Sequence, residues 1–84
     1  MAEIHYSFEA LKDLKKLDKP VREQVARKIA SLRENPDLGK PLRNVFKNKR
    51  SLHAGKYRVL YSITNDSKEI IIASVKHREK AYRE

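Results

Sequence analysis

The fold turns on residues 49–63, Lys49-Arg50-Ser51-Leu52-His53-Ala54-Gly55-Lys56-Tyr57-Arg58-Val59-Leu60-Tyr61-Ser62-Ile63. Two strand-like runs flank Gly55-Lys56, and glycine at the first of two central positions suits a tight hairpin turn of the primed kind, whose twist matches that of the strands. Such a turn pairs Ala54 with Tyr57. Counting outward, His53 faces Arg58, Ser51 faces Leu60 and Lys49 faces Ser62, and because side chains alternate across a sheet these residues project from one surface. Leu52, Ala54, Tyr57, Val59, Tyr61 and Ile63 project from the other, an apolar face expected to pack against the rest of the domain.

C-terminal to this hairpin, Asn65-Asp66-Ser67 predicts a second turn, since these side chains bond their own backbone and tolerate left-handed geometry. If it sets Ile63 near Ile70, Arg78 falls on the Arg58 surface, offset by about four residues or roughly 13 Å of strand. That surface is expected to gather Lys49, His53, Arg58, Lys76 and Arg78, with Leu60, Ile70 and Ile72 making it partly apolar. His77 alternates toward the packed face, and Tyr57 and Tyr61 share parity with Val59 and Ile63, so all three read as packing residues. The segment Glu79 to Glu84 reads as a one-turn helix or a tail, too short to hold a helix unaided.

N-terminal to it, Glu3 to Tyr6 reads as a short strand. Ser7 can cap a helix running to about Leu17, with a buried stripe of either Phe8, Leu11 and Leu14 or Ala10, Leu14 and Leu17. Asp18 can cap a second helix with Pro20 in its first turn, and Val21, Val25, Ile29 and Leu32 recur at helical spacing until Asn35-Pro36 stops it. Residues 37–48 read as a loop leading into the basic run Lys47-Asn48-Lys49-Arg50. The expected fold is α+β: an antiparallel helix hairpin on one face of a small, mainly antiparallel sheet, in the order β-α-α-β-β-β, as one domain over residues 1–84.

The chain carries a net charge of +9, and the charge is unevenly placed. Residues 1–39 hold eight Lys/Arg against seven Asp/Glu, whereas residues 40–84 hold twelve against four, a net of +8. A basic sheet with a few aromatics points to nucleic acid rather than to a membrane, because no basic amphipathic helix with Trp or Phe on its apolar face accompanies it. An acidic protein would satisfy the same field. With no cysteine there are no disulfides, thiolate metal sites or Cys nucleophiles. His5, His53 and His77 are too scattered for a metal signature. No apolar run reaches membrane-span length and the N-terminus lacks the regions of a signal peptide, so a cytoplasmic protein is expected.

No Walker motif, Rossmann fingerprint, nucleophile elbow or paired-carboxylate spacing is present, and no cofactor is expected. The scarcity of acids on the basic face argues against magnesium-dependent phosphoryl transfer, which needs carboxylates to hold the metal. RNA, however, can supply its own nucleophile, the 2′-hydroxyl. A protein then need only bind and bend the strand, neutralise the phosphorane-like charge and assist proton transfer. Arginines and lysines serve the charge, and a tyrosine can stack on a base or bond the phosphate.

The short strand, the Ala10-Leu11-Lys12-Asp13-Leu14-Lys15-Lys16-Leu17 helix, the Pro20-Val21-Arg22-Glu23 helix, the run His53 to Tyr61 and the closing His77-Arg78-Glu79-Lys80-Ala81-Tyr82 together resemble the RelE/ParE toxin superfamily. The Gly-x-Tyr-Arg-Val-Leu-Tyr strand and the Arg-x-x-x-Tyr ending resemble its RelE side; the helical half is shared with the ParE side. The resemblance implies a ribosome-dependent mRNA endonuclease of a type II toxin-antitoxin pair, acting in the decoding site, held inactive by a RelB-like antitoxin and meeting operator DNA through that complex. It implies that Arg58 and Arg78 flank the scissile phosphate and that Tyr82 stacks on or orients the RNA, with Lys47, His53, Lys76 and Lys80 as further RNA contacts. Family members often carry two Lys/Arg on the strand that here reads Lys49 to His53. Lys49 fits the first and Ser51 occupies the second, which leaves the general base open between Lys49 and His53. A ParE-like topoisomerase inhibitor, or a protein acting through antitoxin and operator binding alone, is the alternative.

Overall fold

The computed structural model describes residues 2–42, 49–64, 66 and 68–79. Strand β1 (Glu3–Tyr6) leads into helix α1 (Phe8–Lys15) and helix α2 (Lys19–Ser31); a 3-10 turn (Pro36–Leu38) and β2 (Lys40–Pro41) precede β3 (Lys49–Ala54), β4 (Tyr57–Thr64) and β5 (Glu69–His77). The strands form one sheet in the order β1-β5-β4-β3-β2, with β1 parallel to β5 and the other pairings antiparallel. The α+β arrangement expected from the sequence is therefore present. It gains one strand: Lys40 and Pro41 pair with Ser51 and Arg50, inside the stretch expected to be loop. Among the described residues no helix is long and apolar enough to cross a membrane.

Ala10, Leu17, Val25, Ile29 and Leu32 from the helices meet Leu52, Ala54, Val59, Tyr61, Ile70, Ile72 and Val75 from the sheet, and all are buried. Of the two stripes open to α1, the fold buries the one that starts at Ala10 and leaves Phe8 78% and Leu11 47% exposed. Ser7 caps α1, accepting the Ala10 N–H at 3.0 Å, as its hydroxyl chemistry suggests. Asp18 occupies the cap position of α2 without a side-chain cap bond; its backbone carbonyl accepts the Arg22 N–H instead.

Helix α1 also closes an open edge. Strand β1 ends beside Ile72, so among the described residues the far edge of β5 has no strand neighbour from Ala73 onward. The Ser7 hydroxyl donates to the Ala73 carbonyl at 2.8 Å, and the Asp13 carboxylate accepts the Val75 N–H at 2.9 Å. Side chains of a helix thus satisfy edge groups that would otherwise be exposed to pairing or left unbonded. At the opposite edge Tyr61 anchors the 3-10 turn: its hydroxyl donates to Pro36 O at 2.7 Å and accepts the Gly39 N–H at 2.9 Å. Arg50 reinforces it through the Gly39 carbonyl at 2.7 Å and the Asp37 carboxylate at 3.5 Å.

Candidate nucleic-acid interface

The site grows from the β3–β4 hairpin. Gly55 has φ +63° and Lys56 does not share that sign, the pattern of a II′ turn, and the register runs Ala54 with Tyr57, His53 with Arg58, Ser51 with Leu60 and Lys49 with Ser62, as the sequence predicts. With the apolar set buried under the helices, these side chains lie on the outer face of the sheet. There Arg58 Nη1 lies 2.8 Å from His53 Nε2 across a directly opposed pair. A guanidinium only donates, so this contact requires Nε2 to be the accepting nitrogen and the ring to be the neutral Nδ1–H tautomer.

Strand β5 brings the second arginine, by a route the alternation does not anticipate. Ile63 pairs with Ile70 as expected, but Tyr61 pairs with Ile72 while Leu60 pairs with Ser74, so Ala73 is an extra residue, a β-bulge. A bulge reverses facing. Ile70 and Ile72 are therefore in the core at 0% exposure, not on the basic face, whereas Lys76 stands opposite Arg58 on the outer side. The ladder continues with the Arg78 N–H donating to Lys56 O at 2.8 Å. Arg78, exposed, is two residues from the position opposite Arg58, roughly 7 Å of strand instead of the expected 13 Å.

His77 packs its ring edge-on against Tyr57, at 5.5 Å between centroids and 78° between planes, as expected of a packing residue. It has a second role: its Nδ1 accepts the Glu79 N–H at 3.3 Å and so shapes the turn that carries Arg78. Lys76 does not present its ammonium to the outer face with the arginines. Its Nζ lies 2.9 Å from Asp13 Oδ1 and 3.0 Å from Glu9 Oε2, and hydrogen bonds to Asp13 and then Glu9 raise its pKa above the ordinary lysine value. Lys49 shares the outer face but sits four residues along β3 from His53, roughly 13 Å away, and is not brought to Arg58. Lys47, Lys80 and Tyr82 lie outside the described residues.

The far corner of the same face has the opposite character. Glu3 and Glu69 are register partners in the parallel pair, and His5 Nε2 lies 3.4 Å from Glu3 Oε1, so that one ligand atom from each of Glu3, His5 and Glu69 falls within 4.8 Å of the others. Sequence spacing hides this exposed grouping because Glu69 arrives from the other end of the chain. The outer face thus runs from an acidic corner at the start of β5 to two arginines at its end, a charge gradient that favours anions at the Arg58 end.

Comparison with known proteins agrees with this architecture. Residues 4–82 match the family described as ParE toxin of type II toxin-antitoxin system, parDE. A RelE-like toxin protein of Escherichia coli is 27% identical over 81 residues, covering 94% of this chain and 85% of that protein. Among solved structures, the toxin-antitoxin complex RelBE2 from Mycobacterium tuberculosis contains a chain 30% identical with a TM-score of 0.83, covering 92% of this chain and 98% of that one. The intact RelBE complex of E. coli gives 26% identity and a TM-score of 0.77 over 92% of this chain and 96% of that one. With the family matched over nearly its whole length, the chain belongs to the RelE/ParE superfamily and is the toxin of a type II toxin-antitoxin system.

Proposed function

We propose that this toxin is a RelE-type, ribosome-dependent mRNA endonuclease that cleaves without a metal of its own, using the message's 2′-hydroxyl as nucleophile. The observation that carries this reading is the pair Arg58 and Arg78 at one end of the outer face, the first held by His53 and the second by its bond to Lys56. Two arginines whose backbone positions are offset by roughly 7 Å along the strand can reach both sides of one phosphate and stabilise the charge that builds on it during in-line attack. Attack by the neighbouring 2′-oxygen on phosphorus forms a 2′,3′-cyclic phosphate and expels the next nucleotide's 5′-oxygen, which takes up a proton. Tyr82 would stack on or orient the RNA, with Lys47 and Lys80 as flanking phosphate contacts. His53 in its observed contact uses its accepting nitrogen on Arg58, so its role here is to aim the guanidinium, and the proton of the 2′-hydroxyl is left to water. The antitoxin, RelB-like by analogy with the complexes above, would neutralise the +8 half of the chain, and operator DNA would be met through that complex in the cytoplasm.

The test uses ribosomes programmed with a message bearing one 2′-O-methyl group 5′ of the scissile phosphate. The methylated message should bind and stay intact, while unmodified message yields a cyclic phosphate and a 5′-hydroxyl, with chelator making no difference beyond the ribosome's own requirement. Cleavage at the methylated site would mean another mechanism. The family match is described by its ParE member, which favours one second reading, a topoisomerase inhibitor. Uncut message together with blocked DNA supercoiling would establish that reading in place of the first.

A further inference from the structure

Lys76 stands directly opposite Arg58 in the β4–β5 ladder, and two cations on one rung repel each other. The fold answers from α1. Asp13 lies in the buried stripe of that helix, between Ala10 and Leu17, and is only 6% exposed. A buried carboxylate is a costly choice where an apolar residue would pack, and it persists only where its oxygens are bonded. Both are: Oδ2 accepts the Val75 N–H at 2.9 Å and Oδ1 takes the Lys76 ammonium at 2.9 Å, with Glu9 Oε2 on the same ammonium at 3.0 Å.

We propose that Asp13 is a positioning residue of the arginine site: from α1 it fixes the open edge of β5 and, with Glu9, draws the Lys76 ammonium away from Arg58. The proposal rests on the RNA-cleaving reading for its catalytic consequence, but its structural content is independent. The raised pKa of Lys76 keeps that side chain charged, so its repulsion of Arg58 is relieved by pairing and not by loss of a proton. One acidic residue then does two things for the site. It closes the β5 edge at Val75, three residues before the bond that holds Arg78, and it leaves Arg58 on His53 with the Lys76 ammonium drawn away.

Asp13→Asn tests this, because the amide oxygen can still accept the Val75 N–H while the charge that holds Lys76 is gone. On programmed ribosomes kcat should fall about 10- to 100-fold, the scale of a small misplacement of a reacting group. KM should stay level or drop, since a released lysine adds a phosphate contact. Asp13→Asn combined with Lys76→Met should recover most of the lost kcat. A role confined to holding the fold gives the opposite: loss of kcat that tracks the melting temperature, and no recovery in the double variant. Ring ¹⁵N shifts of His53, which report whether Nε2 accepts a hydrogen bond, provide a readout without catalysis. They should change in Asp13→Asn and return in the double variant. If Asp13→Asn does not fold, Glu9→Gln, at an exposed position, should give the same pattern at smaller amplitude. Should the wild-type protein cut no message, the endonuclease reading fails by itself. The His53 shifts then decide alone, and unchanged shifts in a folded Asp13→Asn or Glu9→Gln protein overturn the proposal.

Discussion

His53 and Arg58 face each other across a single rung of the β3–β4 hairpin, and the arginine donates to the histidine at 2.8 Å. A neutral imidazole with its lone pair given to a guanidinium aims that guanidinium. It is then not the free base that a strand histidine beside a phosphate site suggests. The two roles respond differently to substitution. His53→Gln keeps an accepting atom near the same place and should retain most of the cleavage rate, whereas His53→Ala should lose roughly 2- to 10-fold, the worth of one net hydrogen bond. Single-turnover cleavage rates of the two variants are the check; equal, severe losses would make His53 a proton acceptor.

Arg78 is exposed, with its backbone bonded to Lys56, so removing its side chain should leave the fold intact. Arg78→Ala is expected to shift stability by no more than about 0.5 kcal/mol. If the protein cleaves RNA as proposed, loss of this charge should nonetheless lower the rate by about 10²- to 10³-fold, the scale seen when one oxyanion donor is removed. Arg58→Ala should match it in rate and cost more in stability, because Arg58 is half-buried and bonded to His53. Growth inhibition and denaturant midpoints measured on the same variants separate the two effects.

Tyr61 and Gly39 hold the 3-10 turn against the sheet. Tyr61→Phe leaves the Gly39 N–H and the Pro36 carbonyl without their shared partner, a change expected to cost about 1 to 3 kcal/mol. Gly39→Ala should be destabilising for a different reason. A Cβ there would meet the Tyr61 ring and hydroxyl at 2.8 Å and the Ser51 carbonyl at 2.9 Å, and overpacking of this kind costs about 1 to 3 kcal/mol. Urea midpoints should fall in both with unchanged slope.

The β3–β4 hairpin was legible because its turn residue and its period-2 pattern lie within fifteen residues and agree. The bulge at Ala73 was not: Ile70-Ile71-Ile72 is apolar at every position, so nothing in the pattern marks where facing reverses, and the spacing of the two arginines came out too long. Strand β2 escaped notice because two residues, one of them a proline without an N–H, carry no periodic signal. The pairing of Lys76 with Asp13 spans 63 residues, and no local rule reveals it. Asp13 belongs to neither apolar stripe read from the sequence, and only the position of β5 shows that it is buried.

The pairing and burial that shape this fold also set its behaviour in alkali. Burial holds the Tyr61 hydroxyl above the ordinary tyrosine value of 10.0, outweighing the Gly39 bond and the nearby Arg50 charge that act the other way. The Asp13 and Glu9 bonds hold the Lys76 ammonium above 10.5. In both cases the folded protein keeps a proton that the unfolded chain releases earlier. Their stabilisation is therefore complete below about pH 10, and it is lost as pH rises from the unfolded values through the raised folded ones. Thermal unfolding followed from pH 8 to 12 should show a plateau followed by a fall. Lys76→Met should start from a lower plateau and fall less steeply above pH 10.5. Tyr61→Phe should remove the part of the fall that begins near pH 10.0. A melting temperature that rises with pH across this window, or a fall identical in all three proteins, would mean that neither group keeps its proton through contacts made in the fold.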